Sequence, residues 1–205
     1  EPFEFPDGRI ELHEEPKSTA NNAVKYADWA MGQFFDKAKA SAYWQDTIFL
    51  VVADHDNRVY GSNLIPVEKF HIPGLILGGQ INAGVIEPLA SQIDLAPTLL
   101  SLAGVSACHS MDGRDFIADP VSPGRALIQF DNLFALMTEQ ELTILRPNDT
   151  ALSAQYSKTT RQLNLKEGVA PEAQQQKALA HVQLPSYLYR ERKYSSAAKC
   201  KPAQW

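Results

Sequence analysis

Asp54 and His55 are the adjacent pair best suited to chemistry, and they follow directly on the apolar run Thr47-Ile-Phe-Leu-Val-Val-Ala53. A carboxylate beside an imidazole offers two ligands of the kind that hold Zn²⁺ or Mn²⁺. The run before them has the composition of a β-strand, and ligands of open α/β sheets bind beyond the C-terminal ends of strands. The pair also has a plainer reading, in which Asp54 caps a turn and His55 lies on the surface. Arg58 follows three residues on. Its planar fork suits a phosphate or sulfate oxygen, or it pairs within the loop with Asp56 or Glu68. His71 precedes the next apolar run, at the N-terminal end of a second strand rather than at the end that bears the pair. It reads as a structural or loop-binding histidine, and it is kept as a substrate-binding candidate beside Arg58. His13 and His109 fall in loops and are given no role. Cys108 and Cys200 have no metal-binding spacing, and either pair in an oxidising compartment or stay reduced.

The elements that must position these residues follow from pattern. Three prolines (Pro2, Pro6, Pro16) make residues 1–17 an extended loop. Ser18 or Thr19 can cap a helix that runs to about Ser41, its apolar side formed by Val24, Ala27, Met31, Phe34, Phe35 and Ala38. Thr47–Ala53 and Ile72–Gly79 are continuous apolar runs, as expected of strands buried on both faces of a parallel sheet. A polar loop, 54–69, lies between them. A second helix spans Asp94–Ala103, with Pro97 in its first turn and Gly104 as its stop. After Pro120 the texture changes. Arg125–Phe130, Phe134–Met137 and Glu141–Leu145 are closely spaced strands of an antiparallel meander, turning at Thr138–Gln140. A last helix covers Pro171–Val182, with Ala173, Ala178, Leu179 and Val182 inward, and a basic tail follows from Arg190. Trp29 and Trp44 read as core or near-core residues.

Composition bounds the class. The 205 residues are 44% hydrophobic and 21% charged, enough apolar surface for a packed core. The net charge of −5 is the wrong sign for a sequence-independent nucleic-acid binder. No apolar run reaches the ~20 residues of a membrane span.

Taken in order, ADHDNRVYG after a strand, HIPGLILGG, SQIDLAPTLLSLAGV and SMDGRDF resemble the sulfatase and alkaline-phosphatase superfamily. Within it they look most like the lipoteichoic-acid synthase and phosphoglycerol transferase branch. KYADWAMGQFFDKAKA resembles that family's Tyr-x-Asp-x-x-x-Gly-x-Phe helix, so Tyr26 and Asp28 fall on packing and loop-support positions. Pro2-Phe3 looks like the residues just past the family's histidine-bearing loop. The resemblance covers about residues 1–118, and residues 125–183 suit the small antiparallel sheet and helix that often end such chains.

The resemblance implies an alkaline-phosphatase-like α/β sandwich with a parallel central sheet, here an incomplete C-terminal part. Residues 1–120 would belong to the catalytic domain, and 121–205 would form a small subdomain of antiparallel sheet and helix packed on it. It implies that Asp54 and His55 are metal ligands for Mn²⁺ or Zn²⁺, with Mg²⁺ or Ca²⁺ as alternatives. The family's further Glu ligand and its nucleophile, a Thr or a modified Cys or Ser, would lie upstream of Glu1, so no catalytic nucleophile is expected in this chain. The implied activity is phosphoglycerol-type transfer from membrane-lipid headgroups through a covalent phospho-enzyme. The alternatives are a sulfate- or phosphate-ester hydrolase and an inactive binding fragment. Full members of the branch are membrane-anchored and extracytoplasmic, periplasmic or on the outer face of the inner membrane. A chain lacking its front half would turn over nothing alone and would tend to self-associate through uncovered apolar surface.

Overall fold

The computed structural model describes residues 3–56, 63–106 and 108–194. Arg58 and Cys200 lie outside the described residues. By contacts the chain forms two compact units, residues 1–51 with 75–82, and residues 52–74 with 83–205.

In the first unit, helix α1 spans Ala20–Lys39, and the Thr19 side chain caps it by accepting the Asn22 N–H. Asn22 is fully buried and holds the preceding loop. Its amide oxygen accepts from the His13 N–H, and its amide nitrogen donates to the Glu14 and Lys17 carbonyls. Phe5, Tyr26 and Trp29 stack in series against the same side. The expected apolar stripe is therefore not the buried face. Ala38 is buried, but Val24, Met31 and Phe34 are exposed, because the inward side is the one that carries Asn22 and Tyr26. Phe34 and Phe35 still meet Phe49 edge-on, and Trp44 stacks on Phe49.

Strands β1 (Ile48–Val52) and β2 (Gly74–Gly78) pair with each other. Their direction corrects the expectation of a parallel pair. The Gly79 N–H donates to the Trp44 carbonyl, whereas the Ala53 N–H donates to the Pro73 carbonyl. Low numbers on one strand thus face high numbers on the other, so the pair is antiparallel. A parallel return needs a crossover, usually a helix, and among the described residues of this connector the one helical element is a 3₁₀ turn, Val67–Phe70. The unbroken apolar runs specified strands but not their direction. Nor is β1 fully buried. It is half-buried as far as Val51 and exposed at Val52, since among the described residues the sheet has two strands.

The second unit is built on a five-stranded antiparallel meander in sequence order. Its strands are β3 (Ala126–Phe130), β4 (Leu133–Thr138), β5 (Glu141–Leu145), β6 (Leu152–Ser157) and β7 (Gln162–Leu165). The first two hairpins turn in two residues, where Asp131 and Glu139 take left-handed backbone conformations. Register puts Ile128 opposite Ala135 and Leu142 opposite Ala154, all in one core. Ile65, Val67 and Phe70 of the β1–β2 connector pack into that core. Helix α2 (Leu95–Leu102) precedes the meander, and α3 (Glu172–Arg190) packs across β5 and β4. Helix α3 continues through Pro185, beyond the expected end at Val182. Its inward stripe is Gln174, Ala178, His181, Leu184 and Leu188, while Leu179 and Val182 are exposed. Among the described residues no helix is long and apolar enough to cross a membrane.

Candidate metal centre

The site is assembled at one end of the β1–β2 pair. Asp54 and His55 follow β1 after Ala53, and both are open to solvent, with side chains 87% and 67% exposed. Asp54 Oδ1 accepts the His55 N–H at 2.9 Å, and Asp54 Oδ2 lies 3.4 Å from His55 Nε2. His55 Nδ1 contacts the Asp56 carbonyl at 2.5 Å, which leaves Nε2 as the nitrogen beside the carboxylate. That carbonyl contact, and then the Asp54 and Asp56 charges, raise the His55 pKa above the ordinary imidazole value. A ligand ion here would displace a proton held more firmly than usual.

The donor set fits a divalent cation as part of a site. One imidazole nitrogen and one carboxylate oxygen are of the types that bind Zn²⁺ or Mn²⁺. Two ligands each about 2.1 Å from a tetrahedral ion would be about 3.4 Å apart, matching the observed 3.4 Å. No cluster of three or more such side chains occurs among the described residues, so two ligands are what the described residues offer there.

Antiparallel pairing also moves His71. Because Pro73 faces Ala53, the N-terminal end of β2 is at the Asp54–His55 end of the pair, not opposite it. His71 is exposed and ends the 3₁₀ turn there. From the same turn, Lys69 Nζ reaches Asp56 Oδ2 at 3.6 Å.

Sequence reasoning missed Gln92. Its side-chain amide donates to the Ala53 carbonyl at 2.9 Å and to the Asp54 carbonyl at 3.0 Å. In the sequence the SQIDLAPT stretch reads as a helix start and as one segment of the family resemblance, with no role for Gln92. In the fold its polar residues tie three segments together. Asp94 is 1% exposed and accepts from the Ser91 N–H (2.7 Å), the Arg114 N–H (2.8 Å) and Arg125 Nη1 (2.9 Å). Arg125 Nη2 donates on to the Asp112 carbonyl at 2.8 Å. Thr98 Oγ1 donates to the Arg114 carbonyl and accepts the Phe116 N–H. Gly113 is required by close approach, for a Cβ there would lie 1.9 Å from the Ile93 carbonyl oxygen. The DGRDF segment thus locks onto SQIDLAPT, and Ser91 Oγ joins both to β3 through the Arg125 carbonyl and the Leu127 N–H.

Residues 4–105 match the sulfatase family model. A crystal structure of a protein in the alkaline phosphatase superfamily from Vibrio parahaemolyticus superposes with a TM-score of 0.86 and 43% identity, over 96% of this chain and 48% of that one. The chain is a member of the alkaline phosphatase/sulfatase superfamily. Its α/β fold, with antiparallel sheets and a few helices, is that of the superfamily neighbour. An extracellular sulfatase SULF-1 homolog of Drosophila melanogaster is 28% identical over 111 residues, which is 51% of this chain and 10% of that protein. The multifunctional alkaline phosphatase superfamily protein PehA of Trinickia caryophylli is 28% identical over 109 residues, 49% of this chain and 21% of that protein. The chain therefore spans about half of the structural neighbour, and less of these curated relatives.

Proposed function

We propose that Asp54 and His55 are metal ligands of an enzyme that transfers or hydrolyses phosphate or sulfate esters, and that its reaction is phosphoglycerol-type transfer from a membrane-lipid headgroup. The observation that carries this reading is the 3.4 Å spacing of Asp54 Oδ2 and His55 Nε2 at the end of β1, inside the segment that matches the sulfatase family. A bound Mn²⁺ or Zn²⁺, or in their place Mg²⁺ or Ca²⁺, would supply Lewis-acid stabilisation of the ester oxygens and activation of a hydroxyl nucleophile. This chain's residues would hold the ion through one carboxylate and one imidazole. Lys69 and His71, at the same end of the strand pair, suit contact with an anionic ester group. Arg58 stays a substrate-contact proposal outside the described residues. None of the chain's own side chains is assigned as nucleophile. The lipid-headgroup reading puts the substrate at the outer face of the cytoplasmic membrane.

Sulfate-ester hydrolysis is the second reading, favoured by the sulfatase-family match and the sulfatase relative. In the full-length protein, Asp54→Ala and His55→Ala should each abolish bound Mn²⁺ or Zn²⁺, read by atomic emission, with circular dichroism unchanged. Unchanged metal stoichiometry in both variants overturns the ligand assignment. A lipid phosphoglycerol donor, a chromogenic phosphate diester and a sulfate ester, assayed side by side, separate the readings. Turnover of the sulfate ester alone replaces transfer with hydrolysis, and turnover of none leaves the binding fragment.

A further inference from the structure

We propose that Gln92 is a positioning residue for the Asp54–His55 pair, its side-chain amide clamping the two successive carbonyls at which β1 passes into the site. The proposal rests on the metal-ligand reading above and adds a residue to it. The Gln92 Nε2 group has two hydrogens, and the carbonyls of Ala53 and Asp54 take both, at 2.9 and 3.0 Å. Those carbonyls belong to the peptide planes on either side of the Asp54 Cα. Peptide planes are rigid, so pinning both fixes φ and ψ of Asp54. The direction in which its carboxylate leaves the chain, and the starting point of His55, are then set. Among the described residues the other bonds at this point are backbone to backbone, Ala53 N–H to the Pro73 carbonyl, or within the pair, His55 N–H to Asp54 Oδ1, and both ligand side chains are mostly exposed.

A clamp is only as firm as its own support, and Gln92 has a rigid one. Ser91 before it is bonded through its N–H to Asp94 and through Oγ to two backbone groups of the β3 region. Asp94, two residues after it, is buried in the pair with Arg125. The stiff part of the unit is thereby coupled, through one amide, to an otherwise exposed ligand pair. Outer partners of metal ligands typically change metal affinity about 10- to 100-fold when removed. Here the partner would act on the ligands' backbone rather than on the ring or carboxylate.

The test uses the full chain, ¹⁵N-labelled, with Mn²⁺ alone as the probe. Gln92→Met keeps length and loses both donors, whereas Gln92→Asn keeps donors on a shorter arm. For Gln92→Met we expect His55 amide exchange to rise about tenfold, from the loss of two hydrogen bonds. We expect Mn²⁺-induced line broadening at Asp54 and His55 to require about tenfold more Mn²⁺. Gln92→Asn should fall between Met and the parent, and melting curves should coincide. A lowered melting temperature with unchanged His55 exchange and Mn²⁺ response would make Gln92 a merely structural residue and overturn the proposal. So would a Met variant identical to the parent in all three. Asp54→Ala serves as the separate control. If it leaves Mn²⁺ broadening unaltered, the ligand assignment fails, and His55 exchange alone decides the clamp.

Discussion

Asp94→Asn should unfold the second unit far more readily than its isosteric shape suggests. The carboxylate accepts from Ser91, Arg114 and Arg125, and both charged partners are 1% exposed. Asparagine keeps one acceptor oxygen but turns an NH₂ group toward a donor. The Arg125 guanidinium would lose its buried counter-charge. It would keep the Asp112 carbonyl at 2.8 Å and the Asp112 carboxylate at 3.9 Å. Breaking a buried ion pair costs about 3–5 kcal/mol. The residual Asp112 contacts and the retained oxygen offset part of this, each charge-assisted hydrogen bond contributing about 1.5–3 kcal/mol. A loss of about 2–4 kcal/mol is therefore expected for Asp94→Asn, and about 4 kcal/mol or more for Asp94→Ala, which also orphans two backbone N–H groups. Urea unfolding followed by far-UV circular dichroism measures it, provided the denaturant slope stays constant. Adding Arg125→Met to Asp94→Asn removes the stranded charge, so the double variant should cost less than the sum of the singles by about 1–3 kcal/mol. A single-variant cost under about 1 kcal/mol, or strictly additive costs, would refute the view that this pair holds the platform together.

Gly113→Ala should destabilise by about 1–3 kcal/mol, because its Cβ would collide with the backbone at Ile93; thermal melting checks this, and a melt matching the parent would mean that the two loops can separate without penalty. The exposed Val24, Met31 and Phe34 on α1 should make the isolated chain self-associate. Sedimentation velocity would then show Met31→Lys with Phe34→Lys shifting the chain toward monomer, and an unshifted distribution would place the contact elsewhere. Burial, with Glu68 nearby, raises the Tyr156 pKa above its ordinary value near 10, and Arg161 only partly opposes this. The unfolded chain then loses that proton at lower pH than the folded one. The stability contributed is complete below the unfolded pKa and is lost as pH rises through the folded one. Melts between pH 8 and about 11 should fall more steeply for the parent than for Tyr156→Phe, and parallel curves would dismiss the coupling.

Much of the fold could be read from the chain because its strongest signals are local. The Thr19 cap and the extent of α1, the run of β1, and the meander from Ala126 to Leu145 fall where expected. The strands at Leu152–Ser157 and Gln162–Leu165 went unread because polar residues dilute their alternation. The buried faces of α1 and α3 were misjudged for a related reason. Both helices bury polar side chains, Asn22 and the half-buried His181 among them, which satisfy partners that no hydrophobic pattern registers. Asp54 and His55 were visible as a pair of suitable donors. The convergence of Gln92 on their backbone was not, since it depends on a contact 38 to 39 residues away in sequence. Strand direction failed likewise, because burial on two faces is a property of layers and not of chain sense.

The antiparallel sense of β1 and β2 has a consequence for divergence among related chains. Both feet of their connector stand together, Ala53 bonded to Pro73 at 3.3 Å. A crossover must always span a fixed width of sheet, but a loop that returns to its own starting point has no such length to satisfy. Its closure entropy grows slowly, by roughly 0.6 kcal/mol for each doubling. Residues inserted between His55 and the core-anchored Ile65 would lengthen the connector without moving either foot or the Gln92 clamp. Loop length at this one connector is therefore a low-cost variable among related chains, even directly beside a pair whose backbone is fixed at Asp54.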